Sequence, residues 1–180
     1  VSRAEVFWGK ALGAALALLA ALALGFGLAG IGLATASGGA EAGAFLSLSG
    51  YSLLLALASL GIGFVISSLT RKGATASGAA LILWLGLVFF GDLGLVGATL
   101  TLRPAPAMLL SMLLVNPLQV FKLAAIYGLR ATLDTLGPVG QYAQYRFGDS
   151  LPLFLSALLA AWIIGAFGVA FALFNRRGDL

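Results

Sequence analysis

Asp92, in the stretch "VFFGDLGLVG", raises the sharpest chemical question in this sequence. It is the one charge inside a long apolar run. A charge in hydrocarbon costs about 2.5–3.5 kcal/mol even on the most lenient insertion scale, so it must face a partner, water or the interior of a helix bundle. Two roles fit: a residue on a substrate or proton pathway, or a structural anchor near one interface, paired with Arg103 or Lys122. Its place in the outer third of the run favours the anchor. Met108 and Met112 are the other candidates. They stand i, i+4 and share a helix face, and thioethers can hold Cu(I). Methionines at that spacing more often fill gaps in a core, and that is the reading taken.

The rest of the catalytic repertoire is missing from the sequence. It has no cysteine and no histidine, which removes disulfides, thiolates, imidazole bases and most soft-metal sites. The six carboxylates are scattered. No stretch matches the phosphate-binding pattern G-x-x-x-x-G-K-[ST], since Gly9-Lys10 is followed by Ala11. No catalytic residue and no metal ligand is assigned, so any energy source belongs to a partner or a gradient. A single intramembrane acid is too little for an ion-coupling site, which makes gradient-driven transport the weaker option.

The elements that must position these residues are membrane helices. The chain is 61% hydrophobic and 9% charged, where a soluble domain is near half apolar and a quarter charged. Four runs reach the ~20 residues a span needs: about Ala11 to Leu33, Phe45 to Leu69, Thr75 to Leu100 and Leu151 to Phe174. None alternates with period two, which argues against a barrel. The first run is followed by a cleavage-like "ATA". It is nevertheless far longer than the roughly 7–15 residues of a signal-peptide core, so it is read as a retained span. The expected fold class is all-α: one polytopic bundle over residues 1–180, with four spans and two short helices lying in or re-entering the outer interface.

Basic residues orient the bundle. Arg3 and Lys10 precede the first run, Arg71 and Lys72 link the second and third, and Arg176 and Arg177 follow the fourth. With four crossings these places share one side. The positive-inside rule makes it cytoplasmic, along with both chain ends. The net charge of +4 is thus a property of membrane flanks, and nucleic acid is excluded as a partner.

The outer side carries "ATASGGAEAGA" and a long connection, 101–150. Within it "AMLLSMLLV" is too short to span, Asn116-Pro117 makes a turn and helix start, and a second helix follows. That helix has a polar stripe of Gln119, Lys122 and Arg130 and is ended by Gly137-Pro138. Tyr51, Tyr142 and Tyr145 are expected at the outer headgroups and Trp8 at the inner ones. Trp84 and Trp162 fall mid-span, as packing residues. Gly25, Gly27, Gly30 and Gly32, then Gly61 and Gly63, suit close helix crossings.

The opening stretch "VSRAEVFWGKALG" has Ser2 and Glu5 spaced as a capping box. It predicts a short cytosolic helix leading into the first span. Residues Ser2, Arg3, Glu5, Gly9, Lys10 and Gly13 resemble the S-R-x-E…G-K-x-x-G segment before the third span of ABC-2 type transporter permeases. The resemblance continues through "SLGIGFVISSLTRKGATASGAALILWLGLVFFGDLGL", "LLVNPLQVFKLAAI" and the final "LPLFLSALLAAW…FNRRGDL". Asn116, Pro117, Phe121, Lys122 and the Asp92 segment resemble one branch: the membrane subunits of transporters that mature nitrous oxide reductase.

The resemblance implies a homodimeric permease in a bacterial inner membrane, partnered by an ATP-binding subunit that holds ATP and Mg. It also implies a periplasmic accessory protein outside. Arg3, Glu5, Phe7 and Lys10 would form the motor-docking segment. Asn116, Pro117, Phe121 and Lys122 would belong to an outer docking surface. Family members have six spans, so the four here match spans three to six of an N-terminally truncated chain. Without cysteine or histidine, direct copper conduction is not expected, and a mechanical role fits better. The alternatives are a general ABC-2 exporter of lipid, drug or polysaccharide, and a stand-alone membrane assembly protein.

Overall fold

A computed structural model describes residues 2–39, 41–101, 105–129 and 138–176. The described elements are helical: α1 (Arg3–Ser37), α2 (Ala42–Leu69), α3 (Gly73–Thr101), α4 (Pro106–Leu114), α5 (Pro117–Gly128), α6 (Pro138–Phe147), a 3₁₀ turn (Gly148–Ser150) and α7 (Leu151–Arg176). Four stretches are long and apolar enough to cross a membrane: α1, α2, Gly73–Gly94 of α3, and Val139–Arg176, which contains α7.

The opening segment and the first span are one helix. Ser2 Oγ accepts from Glu5 N and the Glu5 carboxylate accepts from Ser2 N, so the capping box closes. No proline interrupts the chain from there to Ser37. The resulting rod of 35 residues is about 52 Å long, well beyond the ~30 Å hydrocarbon core. It ends at Gly38, whose φ of 63° is left-handed and favours glycine.

The core lies among α2, α5 and α7. Val120 and Leu123 of α5 meet Leu151, Leu155 and Leu159 of α7, all fully buried. The most extensive seam is α2 against α7. It depends on Gly61, where an added Cβ would stand 2.9 Å from Ala166 Cβ. In lipid, where apolar surface gains little by leaving the solvent, such close backbone approach is a main source of cohesion.

Several orientations differ from expectation. Trp84 is exposed on α3 and faces outward, while Trp162 is half-buried. Met108 and Met112 are both exposed; α4 buries Leu109, Leu110 and Leu113 instead. Tyr51 is buried, with its hydroxyl donating to Pro152 O at 3.4 Å, rather than standing at a headgroup. Tyr145 is exposed and Tyr142 packs against the core. Of the glycines in α1, Gly30 makes a close contact, 3.0 Å from the Phe45 ring to an added Cβ, whereas Gly25, Gly27 and Gly32 have open space.

The long connection holds α4 and α5, bent by 111° as a broken span or re-entrant pair, and also a third short helix. The second helix stops at Gly128, short of the expected Gly137-Pro138, and α6 begins at Pro138. Arg103, Arg130, Gly137 and Arg177 lie outside the described residues.

Candidate functional site

The intramembrane acid sits where two helices are tied together. Asp92 is the twentieth residue of α3, about 28 Å along the axis from Gly73. It therefore lies near the far face of the membrane from the α2–α3 link. On α5, Asn116, Gln119 and Lys122 recur every three residues and share one face. That face meets α3. Lys122 Nζ donates to Asp92 Oδ1 at 2.6 Å and Oδ2 at 2.7 Å, and Gln119 Nε2 donates to Oδ1 at 2.8 Å. Asn116 works on two backbones at once. Its Oδ1 accepts from Leu118 N as the N-cap of α5, and its Nδ2 donates to Leu87 O of α3 at 2.6 Å. Gly91 makes the approach possible, since a Cβ there would run into the Gln119 amide and stand 2.9 Å from Asn116 Nδ2.

Of the two roles open to Asp92, this geometry is that of an anchor. Its oxygens accept three hydrogen bonds from two side chains, and Lys122 neutralises it. Gln119 is 4% exposed, and both of its roles, filling space and donating, are internal. The sequence shows Gln119 only as part of a polar stripe. The signal that could have singled it out is its place midway between Asn116 of the turn and Lys122 of the stripe, three residues from each. Pro117 is buried, and Asn116, Phe121 and Lys122 are half-buried, so much of this group is turned inward.

The opposite end holds the other candidate group. Phe7 is 2% exposed and lies against Phe64 of α2 and Phe171 and Phe174 of α7, with ring centroids 5.4–5.7 Å apart. Trp8 stacks toward Phe167 and Phe171. Arg3 Nη1 donates to Asn175 O at 3.5 Å, joining the start of α1 to the end of α7. Arg3, Glu5 and Lys10 are exposed, whereas Phe7 is core. The α2–α3 link, with Arg71 and Lys72, lies at this same end. The described residues contain no group of three or more acidic side chains placed to hold a metal ion.

Four membrane-length helices, a bent pair of short ones and a capped opening helix thus stand in one chain. Residues 1–178 match the family model described as "ABC-2 family transporter protein". The chain belongs to the ABC-2 transporter family. Over 187 residues, covering 98% of the chain, this ABC-2 protein is 34% identical to the "Probable ABC transporter permease protein NosY" of Pseudomonas aeruginosa. Over the same coverage it is 30% identical to the protein of that name from Stutzerimonas stutzeri. It spans 65% of the length of each of these relatives. The permease family resemblance read from the sequence, and the multi-pass helical fold it implied, are therefore both supported.

Proposed function

We propose that this chain is the membrane-spanning part of a bacterial inner-membrane permease in which a separate subunit binds and hydrolyses ATP. Its work would be maturation of the copper centre of nitrous oxide reductase outside. The observation that carries this reading is likeness to the two NosY permeases along 98% of the chain, the long connection included. The Arg3 end would face the cytoplasm, because the Lys and Arg of α1, the α2–α3 link and the end of α7 gather there. Two copies would pair, and a periplasmic partner would dock on the other side. The chain's part is mechanical: motion of an ATP-driven partner at the Arg3 end would reach the Asp92 end through the helices.

A specific observation favours a second reading. A groove of about 470 Å³ opens between α3 and α4–α5, lined by Leu83, Gly86, Phe90, Gly91, Met112 and Asn116. A lateral apolar groove is what an exporter of a lipid-like cargo requires. Purification from the native membrane in mild detergent, followed by mass spectrometry, separates the readings. Recovery of an ATP-binding subunit together with a periplasmic partner, and loss of the copper-centre absorption of nitrous oxide reductase on deletion, is the expected result. An ATP-binding subunit with intact reductase would favour the exporter. Recovery of neither would overturn both.

A further inference from the structure

We propose that the pocket at the Arg3 end, between α1, α2 and α7, binds the headgroup phosphate of an anionic phospholipid. The pocket has a volume of about 390 Å³, within the range of ordinary small-ligand sites. Arg3 and Lys10 line it from α1, Ser67 and Ser68 from α2, and Phe7, Phe64 and Phe174 form its apolar wall. Arg3 and Lys10 are seven residues apart, two helical turns, so both project from the same side of α1. Among the described residues, no acidic one is in the lining. Glu5, the acid nearest in sequence, is engaged in the cap with Ser2. Arg3 hydrogen-bonds Asn175 O, and the exposed Lys10 brings an ammonium with three N–H donors. The Ser67 hydroxyl is exposed and adds a neutral donor.

Three observations identify the phosphate as a lipid's. The pocket lies at the level where spans end: α2 stops at Leu69 and α3 starts at Gly73. Trp8, half-exposed beside it, is of the residue type that settles at headgroups. Phe7, Phe64 and Phe174 put apolar surface beside the cations, which suits a ligand that joins an anionic head to an apolar tail. Basic pockets between membrane helices are the known physical setting for such headgroups. This inference does not rest on the maturation reading; it follows from the pocket's charge and level alone.

The test uses the protein purified from its native membrane, with thermal unfolding followed as short-chain lipids are added. Dihexanoyl phosphatidylglycerol is expected to raise the midpoint saturably, dihexanoyl phosphatidylcholine much less, and inorganic phosphate hardly at all. Lys10→Gln and Arg3→Gln should each weaken the apparent affinity about fivefold, the factor expected for one cation near the surface. Lys72→Gln, at the same end but outside the pocket, should leave it unchanged. Arg3→Gln also loosens the contact with α7, so Lys10→Gln is the deciding variant. An equal loss in Lys72→Gln would show diffuse attraction and overturn the site. A full shift with inorganic phosphate would overturn the lipid. A response abolished when an ATP-binding subunit is bound would assign the pocket to that protein instead.

Discussion

The two ends of this bundle are held by opposite kinds of contact. At the Arg3 end, Phe7 sits among aromatic rings from α2 and α7, and the contacts are mainly apolar, with long 3.5 Å hydrogen bonds from Arg3 and Ser68 to α7 beside them. At the Asp92 end, α3 is joined to α5 by an ion pair and side-chain amides. The difference follows from what each helix offers. α1 brings a large ring to a close-packed seam, where many small dispersion gains add up. α3 has little buried apolar surface and is held by a few directional bonds, which in a poorly hydrated setting are costly to leave unmade. A packed end resists by area. A bonded end resists by geometry, and loses its hold when one donor is displaced.

Breaking the packed end should have the largest effect. Phe7→Ala removes a fully enclosed ring and should cost about 3 kcal/mol or more, read as a large drop in the unfolding midpoint in detergent. A loss no greater than that of Val6→Ala, at an exposed neighbour, would contradict the aromatic seam. Next comes Gly91→Ala, which forces Gln119 and Asn116 away from α3 and should cost about 1–3 kcal/mol. Gly94→Ala, three residues on with open space around it, should be neutral or gain up to about 1 kcal/mol from helix propensity. Equal effects at the two glycines would remove the case for a close approach. The smallest effect belongs to the ion pair, because Lys122 is 38% and Asp92 50% exposed. A double-mutant cycle with Asp92→Asn and Lys122→Gln should give a coupling of about 0.5–1 kcal/mol. A coupling near zero would leave Gln119 and Asn116 as the whole of the clamp.

Much of this architecture was legible in the sequence, and the failures have a common cause. The four spans follow from run length alone, and the α1 cap from Ser2 and Glu5. Asp92 and Lys122 were visible as charges needing partners, and Lys122 was one of two partners considered. Their meeting across thirty residues of chain needed the α4–α5 bend; Asn116-Pro117 marks that turn, but no local pattern sets its angle of 111°. Which way Trp84, Met108, Met112 and Tyr51 point was not legible. A helix apolar on every face has no polar side to mark its outside, so hydropathy cannot distinguish lipid from core. α6 was missed because proline is an ambiguous signal: it ends one helix and suits the first turn of the next. Gln119 was hidden by its stripe, since a polar residue three positions from its neighbours looks the same whether it faces water or another helix.

The continuity of α1 has a mechanical meaning. A helix without a break is a stiff rod, and this one is clamped by Phe7 one turn from its start while most of its length carries exposed leucines, Leu12 to Leu28, against the membrane. It is held again near its far end, where Gly30 closes on the Phe45 ring and Phe26 meets that ring edge-on. A rod pinned at two places is a strut rather than a hinge: a displacement at Arg3 is carried ~50 Å toward Ser37 and shared with α7 at one end and α2 at the other.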